Sequence, residues 1–215
     1  MKTYIVKKVI PGNRQTSDIW PEITFLNIDN FIWSSNDYQP FTQAGLFYTD
    51  THLHVFFKSY EDKISVKHFK MNEDVYKDSC CEFFINPKPG EQENYMNFEI
   101  NAAGTLLLGS GRTRHNRIRY IFDDFRELFS IKTSVTKENI KNYDCKFWTL
   151  EYAIPFTFFE KYFGSINIKP GYTMKGNFYK CGDSTTHPHY GCWNLITDPV
   201  PDFHLSSFFG SIVFE

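Results

Sequence analysis

The strongest constraint in the 215-residue sequence is an alternation of apolar and polar residues that restarts after turn residues along nearly the whole chain. It runs through 2–10 and 23–33, then through AGLFYT (44–49) and HLHVFFKS (52–59), a pair that reads as a hairpin about Thr49, Asp50 and Thr51. It returns at 63–69, 79–86, 95–102, 105–110, 127–136, 146–154, 172–181 and 210–214. A period of two sends successive side chains to opposite faces of a strand. Strands this numerous bury their apolar faces by packing as two sheets about 10 Å apart. The predicted fold is therefore all-β, a two-sheet antiparallel β-sandwich of immunoglobulin-like or jelly-roll type. Helical spacing occurs only in FTFFEKYF after Pro155, a proline that suits a first helical turn.

The layer between the sheets needs bulk, and the chain supplies it with 23 Phe, 13 Tyr and 4 Trp. Core packing is the ordinary use of such residues, and Trp33 and Trp148 are assigned to it. No linker or repeat divides the sequence, so residues 1–215 are expected to form a single domain. A chain of this length buries about 70% of its unfolded surface without staples. A net charge of −2 argues against nucleic acid as a partner. No apolar run reaches the about 18 residues needed to cross a membrane. The N-terminus lacks the pattern of a secretory signal, and Cys80, Cys81, Cys145, Cys181 and Cys192 are odd in number. A cytoplasmic protein with free thiols is expected.

Two segments carry a polar row. NYMNFEINAAGT (94–105) sets Met96, Phe98, Ile100 and Ala102 against Tyr95, Asn97, Glu99 and Asn101, and the preceding strand sets Cys81, Phe83 and Ile85 against Glu82, Phe84 and Asn86. A hairpin folded about positions 90 and 91 places Glu82 opposite Glu99, Phe84 opposite Asn97 and Asn86 opposite Tyr95. Facing carboxylates are destabilising unless a cation, a shared proton or a ligand bearing donors relieves them. Sugar hydroxyls are such donors. The alternative is that both side chains splay into water or pair with nearby Lys and Arg.

At these residues the chain resembles the carbohydrate-binding module family 9-like group, which is related more distantly to DOMON domains. The resemblance is carried by VYKDSCCEFF (75–84), YMNFEINAAGT (95–105), WTLEYAIPF (148–156), GNFYKCGD (176–183) and PDFHLSSFFGSIVF (201–214). It implies a β-sandwich that binds a mono- or oligosaccharide without catalysis, often beside a glycan-degrading enzyme. It also implies that the sugar lies between two aromatic clamps. Tyr76 falls at the first clamp, Glu82 at the acidic binding residue, and Phe203 or His204 at the second clamp, while Asn97, Glu99 and Asn101 extend the polar row. Glu99 stands where better-studied members carry a basic residue, and neither clamp is Trp. Structural calcium occurs in the group, but no metal ligands or other cofactor are assigned here.

Three other readings compete with sugar binding. A glycoside hydrolase could use Glu82 and Glu99, since paired carboxylates about 5 Å apart suit a retaining mechanism. A protein-interaction module would instead expose a broad apolar face. Cys181, His187, His189, Cys192 and His204 offer zinc donors, but their spacing matches no standard pairing. Finally, Arg112, Arg114, Arg117 and Arg119 form either a solvated strand or a contact for anionic sugars.

Overall fold

The computed structural model describes residues 1–144 and 146–215. Its strands are β1 (Thr3–Lys8), β2 (Leu26–Ile28), β3 (Thr42–Tyr48), β4 (His52–Ser59), β5 (Cys80–Asn86), β6 (Tyr95–Asn101) and β7 (Leu106–Gly111), followed by β8 (Ile118–Arg119), β9 (Lys132–Thr133), β10 (Trp148–Pro155), β11 (Thr173–Cys181), β12 (Tyr190–Cys192) and β13 (Gly210–Phe214). One sheet runs β8-β7-β6-β5-β11-β13-β1 and the other β1-β3-β4-β10-β9, with β12 beside β11 and β2 beside β3. The result is the expected all-β sandwich. Among the described residues the one departure from antiparallel order is β1, which pairs parallel with β13 through Thr3–Val6 and parallel with β3 through Lys7 and Lys8. That strand stitches the two sheets together.

The core lies between the sheets, and the alternation explains how it is filled. Cys81, Phe83 and Ile85 of β5 and Met96, Phe98 and Ile100 of β6 enter it, meeting Leu46, Val55, Phe57, Trp148 and Tyr152 from the other sheet. The helix Phe156–Phe163 closes one end with Phe156, Phe158, Phe159 and Phe163. Pro155 sits just before this helix as its N-cap. Among the described residues no helix is long and apolar enough to cross a membrane.

Of the expected strands, one is absent and one is cut short. Residues 63–69 are coil because buried Asp78 and Ser79 take up their backbone. Asp78 accepts from the Lys67 and His68 amides, and the Ser79 hydroxyl accepts from the Ser65 amide. The stretch 127–136 keeps only the two-residue β9, preceded by a helical turn at Phe125–Leu128. A further polar cluster is built into the sandwich interior. The Lys180 ammonium, fully buried, pairs with Glu61 at 3.3 Å and donates to His189 Nε2 at 2.9 Å. Glu61 also accepts from Ser79 Oγ and from the Trp148 indole. Burial opposes the charge on Lys180, but Glu61 and its other neighbours hold its pKa above the ordinary value.

Cys80, Cys81, Cys181 and Cys192 are buried free thiols, and Cys80 and Cys81 face opposite sides of β5. Cys145 lies outside the described residues.

Candidate functional site

The face of β5, β6 and β11 turned away from the core is not bare. Every residue of β5 and β6 is buried, because segments around Trp33, Tyr190 and residues 201–209 roof the polar row. Between roof and sheet lies a cleft of about 360 Å³.

The inferred hairpin register holds: Glu82 is paired with Glu99 and Phe84 with Asn97. Both carboxyls line the cleft, at 2% and 4% exposure. Burial, followed by Cys181 and the facing Glu99, drives the Glu82 carboxyl well above the ordinary carboxylate range. Burial raises Glu99 to about 7, although Arg119, the Asn97 amide and Arg117 pull it down. Burial thus favours the protonated form of both facing carboxyls, which lessens the repulsion between them.

A relay of side chains fixes the floor. Arg117 lies over the Tyr95 ring with its guanidinium carbon 4.5 Å from the ring centre, and donates from Nε to Asn97 Oδ1 at 3.0 Å. Asn97 Nδ2 donates to Glu99 Oε1 at 2.8 Å. Asn97 thus orients Glu99 from beside it on the same face of β6, without lining the cleft itself. On the other carboxyl, the Cys181 thiol donates to Glu82 Oε1 at 2.9 Å. Arg119 of β8 lies opposite Gly109, where a Cβ would come 3.1 Å from its guanidinium, so the missing side chain gives Arg119 room over the sheet.

The aromatic rim comes from two clusters. Tyr76 and Tyr190 pack on Val75, Cys80, Leu107 and Cys181, while Trp33 packs on the group containing Phe84 and Tyr179. Phe203 touches both clusters, stacked on Tyr179 at 4.1 Å and 5.7 Å from Trp33. Tyr76 is placed by its short helical turn, Val75–Lys77, whose carbonyls accept from the Asp183 and Ser184 amides. That pairing also brings Asp183 to the cleft, where burial raises its carboxyl to about 6. His204 Nδ1 meets the Tyr95 hydroxyl at 2.8 Å. Burial, then Arg117, Arg114 and Arg119, lowers its pKa to about 3 and keeps it neutral.

Of the expected site residues, Tyr76, Glu82, Glu99, Phe203 and His204 come together around one cleft. Asn101 does not. Its amide donates to the His68 carbonyl and to Asp78, and its oxygen accepts from the Thr105 amide, so it closes a turn at the end of β6. Trp33, assigned to the core, is half-buried on the cleft wall with its indole N–H donating to the Asp198 carbonyl at 2.8 Å. The polar SSND that follows it was the available signal. The arginines divide as well. Arg114 and Arg119 line the cleft, Arg117 anchors Asn97, and Arg112 pairs with Glu93 elsewhere.

The zinc donors that the sequence offers are dispersed. His189 belongs to the Lys180 cluster, Cys192 packs against the group of Phe84 and Tyr179, and His204 holds Tyr95. A different trio gathers instead: ligand atoms of Cys80, Glu82 and Cys181 all lie within 4.8 Å of one another.

The whole is a β-sandwich whose outer sheet face carries charged groups beneath a ring-lined rim. The chain belongs to carbohydrate-binding family 9, whose profile matches residues 19–214. Among solved structures, a candidate carbohydrate-binding protein from Bacteroides uniformis ATCC 8492 superposes with a TM-score of 0.83 at 28% identity, over 100% of this chain and 99% of that one. A family 9 module from Caldicellulosiruptor kristjanssonii in complex with glucose gives a TM-score of 0.65 at 16% identity, covering 100% of this chain and 96% of that one, and shares the fold. An extracellular protein of Arthroderma benhamiae is 24% identical over 200 residues, 86% of this chain and 84% of that one.

Proposed function

We propose that the cleft binds a monosaccharide or the end of a glycan, without catalysis, and that the protein serves as an accessory to glycan breakdown. The observation that carries this reading is the convergence of Tyr76, Tyr190, Trp33 and Phe203 around buried carboxyls and two guanidiniums in one cleft of about 360 Å³. Ring faces cover the C–H patches of a pyranose, and the polar floor exchanges hydrogen bonds with its hydroxyls. The volume is at the small end for ligand sites, which suits one or two sugar residues. The complexes of C. kristjanssonii modules with glucose and with cellotriose support the same ligand class. A glycan array followed by calorimetry tests it. Tyr76→Ala should weaken the sugar found by about 1–3 kcal/mol, as truncated aromatic anchors do at recognition sites. Failure of the array to return any sugar would overturn the reading.

One observation favours hydrolysis instead: Glu82 and Glu99 face each other in the cleft with raised pKa values, an acid–base arrangement. Reducing-sugar release by the wild type, lost in Glu82→Gln or Glu99→Gln, would establish that activity. We expect none. A cytoplasmic location is supported by the free thiols Cys80, Cys81, Cys181 and Cys192, and cell fractionation tests it.

A further inference from the structure

We propose that Cys80, Glu82 and Cys181 form a binding site for a thiophilic divalent cation, Zn²⁺ in the cell, set into the floor of the cleft. The pairing of β5 with β11 builds the donor set. Cys181 stands directly opposite Cys80, and Glu82 is the next residue of β5 on the same face. Sheet register therefore fixes two sulfurs and a carboxylate on one small patch, and their ligand atoms lie within 4.8 Å of one another. With Zn–S bonds near 2.3 Å, two sulfurs on a tetrahedral zinc stand about 3.8 Å apart, so the trio closes on an ion by side-chain shifts of about 1 Å.

Two further observations point the same way. Glu82 is 2% exposed, and among the described residues the only hydrogen bond to its side chain comes from the Cys181 thiol, a weak donor. A buried carboxyl so thinly satisfied is an exception that needs a reason, and a metal bond supplies one. The cleft also gives the ion a way in. Glu82 and Cys181 line it while Cys80 stands behind them, fully buried. Three protein ligands and one direction open to the cleft match a zinc centre with an exchangeable fourth ligand. Two sulfurs among three donors select against Ca²⁺ and Mg²⁺, which take oxygen.

The test uses the full chain, stripped with a chelator under reductant, with no sugar present. Zn²⁺ is titrated against a chromophoric chelator, and Co²⁺ is added separately for its thiolate charge-transfer and ligand-field bands. One equivalent of zinc should bind, with a Co²⁺ spectrum of a tetrahedral site carrying two thiolates. Cys80→Ser and Cys181→Ser should each remove a thiolate from that spectrum. Each of them, and the near-isosteric Glu82→Gln, should weaken zinc binding by about tenfold or more, at least the loss seen when only an outer-shell partner is removed. Cys192→Ser should leave it unchanged. Absence of stoichiometric binding, a spectrum without two thiolates, or an affinity unmoved by Cys181→Ser would overturn the site. Should the cysteine variants fail to fold, the wild-type Co²⁺ spectrum and Glu82→Gln decide the matter. The outcome is independent of the glycan array, so the two readings stand or fall separately.

Discussion

Replacing Glu99 by Gln should change the pH dependence of stability more than stability itself. Glu99 is 4% exposed, and burial lifts its carboxyl from about 4.5 to about 7. The folded protein thus keeps a proton that the unfolded chain releases. The stability this group contributes is fully present below about pH 4.5 and is lost as pH rises through about 7. The gap between those two values, at about 1.4 kcal/mol per pH unit, sets a scale of about 3 kcal/mol. Gln keeps the oxygen that accepts from Asn97 Nδ2 and cannot ionise. Urea unfolding of wild type and Glu99→Gln at about pH 5 and about pH 8 measures the effect as a double difference, expected to favour the variant by about 2–3 kcal/mol more at the higher pH. A wild-type-to-variant difference that does not change with pH would mean that Glu99 is not desolvated as described.

Glu61→Gln should destabilise by about 3–5 kcal/mol in chemical denaturation, because it strands the fully buried Lys180 charge; a loss below about 1 kcal/mol would contradict the cluster. His204 behaves oppositely to Glu99: its pKa is lowered to about 3, so the unfolded chain takes up its proton first, near pH 6.5. Its contribution is present above about pH 6.5 and is lost as pH falls through about 3, so His204→Gln should gain on wild type as acid is added, and a pH-independent difference refutes this. Finally, mapping of a thiol-specific label by mass spectrometry should find Cys80, Cys81, Cys181 and Cys192 unmodified until denaturant is added; rapid native labelling of Cys81 would contradict its place in the core.

The sequence by itself determined what depends on neighbours two residues apart. Alternation set Cys81, Phe83, Met96 and Phe98 inward and Glu82, Phe84, Asn97 and Glu99 outward, and the short PGEQE connection fixed which of them face each other. Both carboxyls of the cleft floor were therefore legible, as was the tension between them. Only the tertiary structure decided what happens on the outward face, because the roof is made of residues far away in the chain. Trp33 and Phe203 meet across 170 positions by loop placement, which leaves no periodic trace. Asn101 looked like one more member of the polar row, yet its carboxamide fits the turn that follows it, and the backbone groups it satisfies could not be identified without coordinates. The same holds for residues 63–69, whose alternation permits a strand but whose amides are claimed by Asp78 and Ser79. A side chain's face is a local property of a strand, whereas burial of that face, and the partners it acquires there, are set by whichever distant segment packs over it.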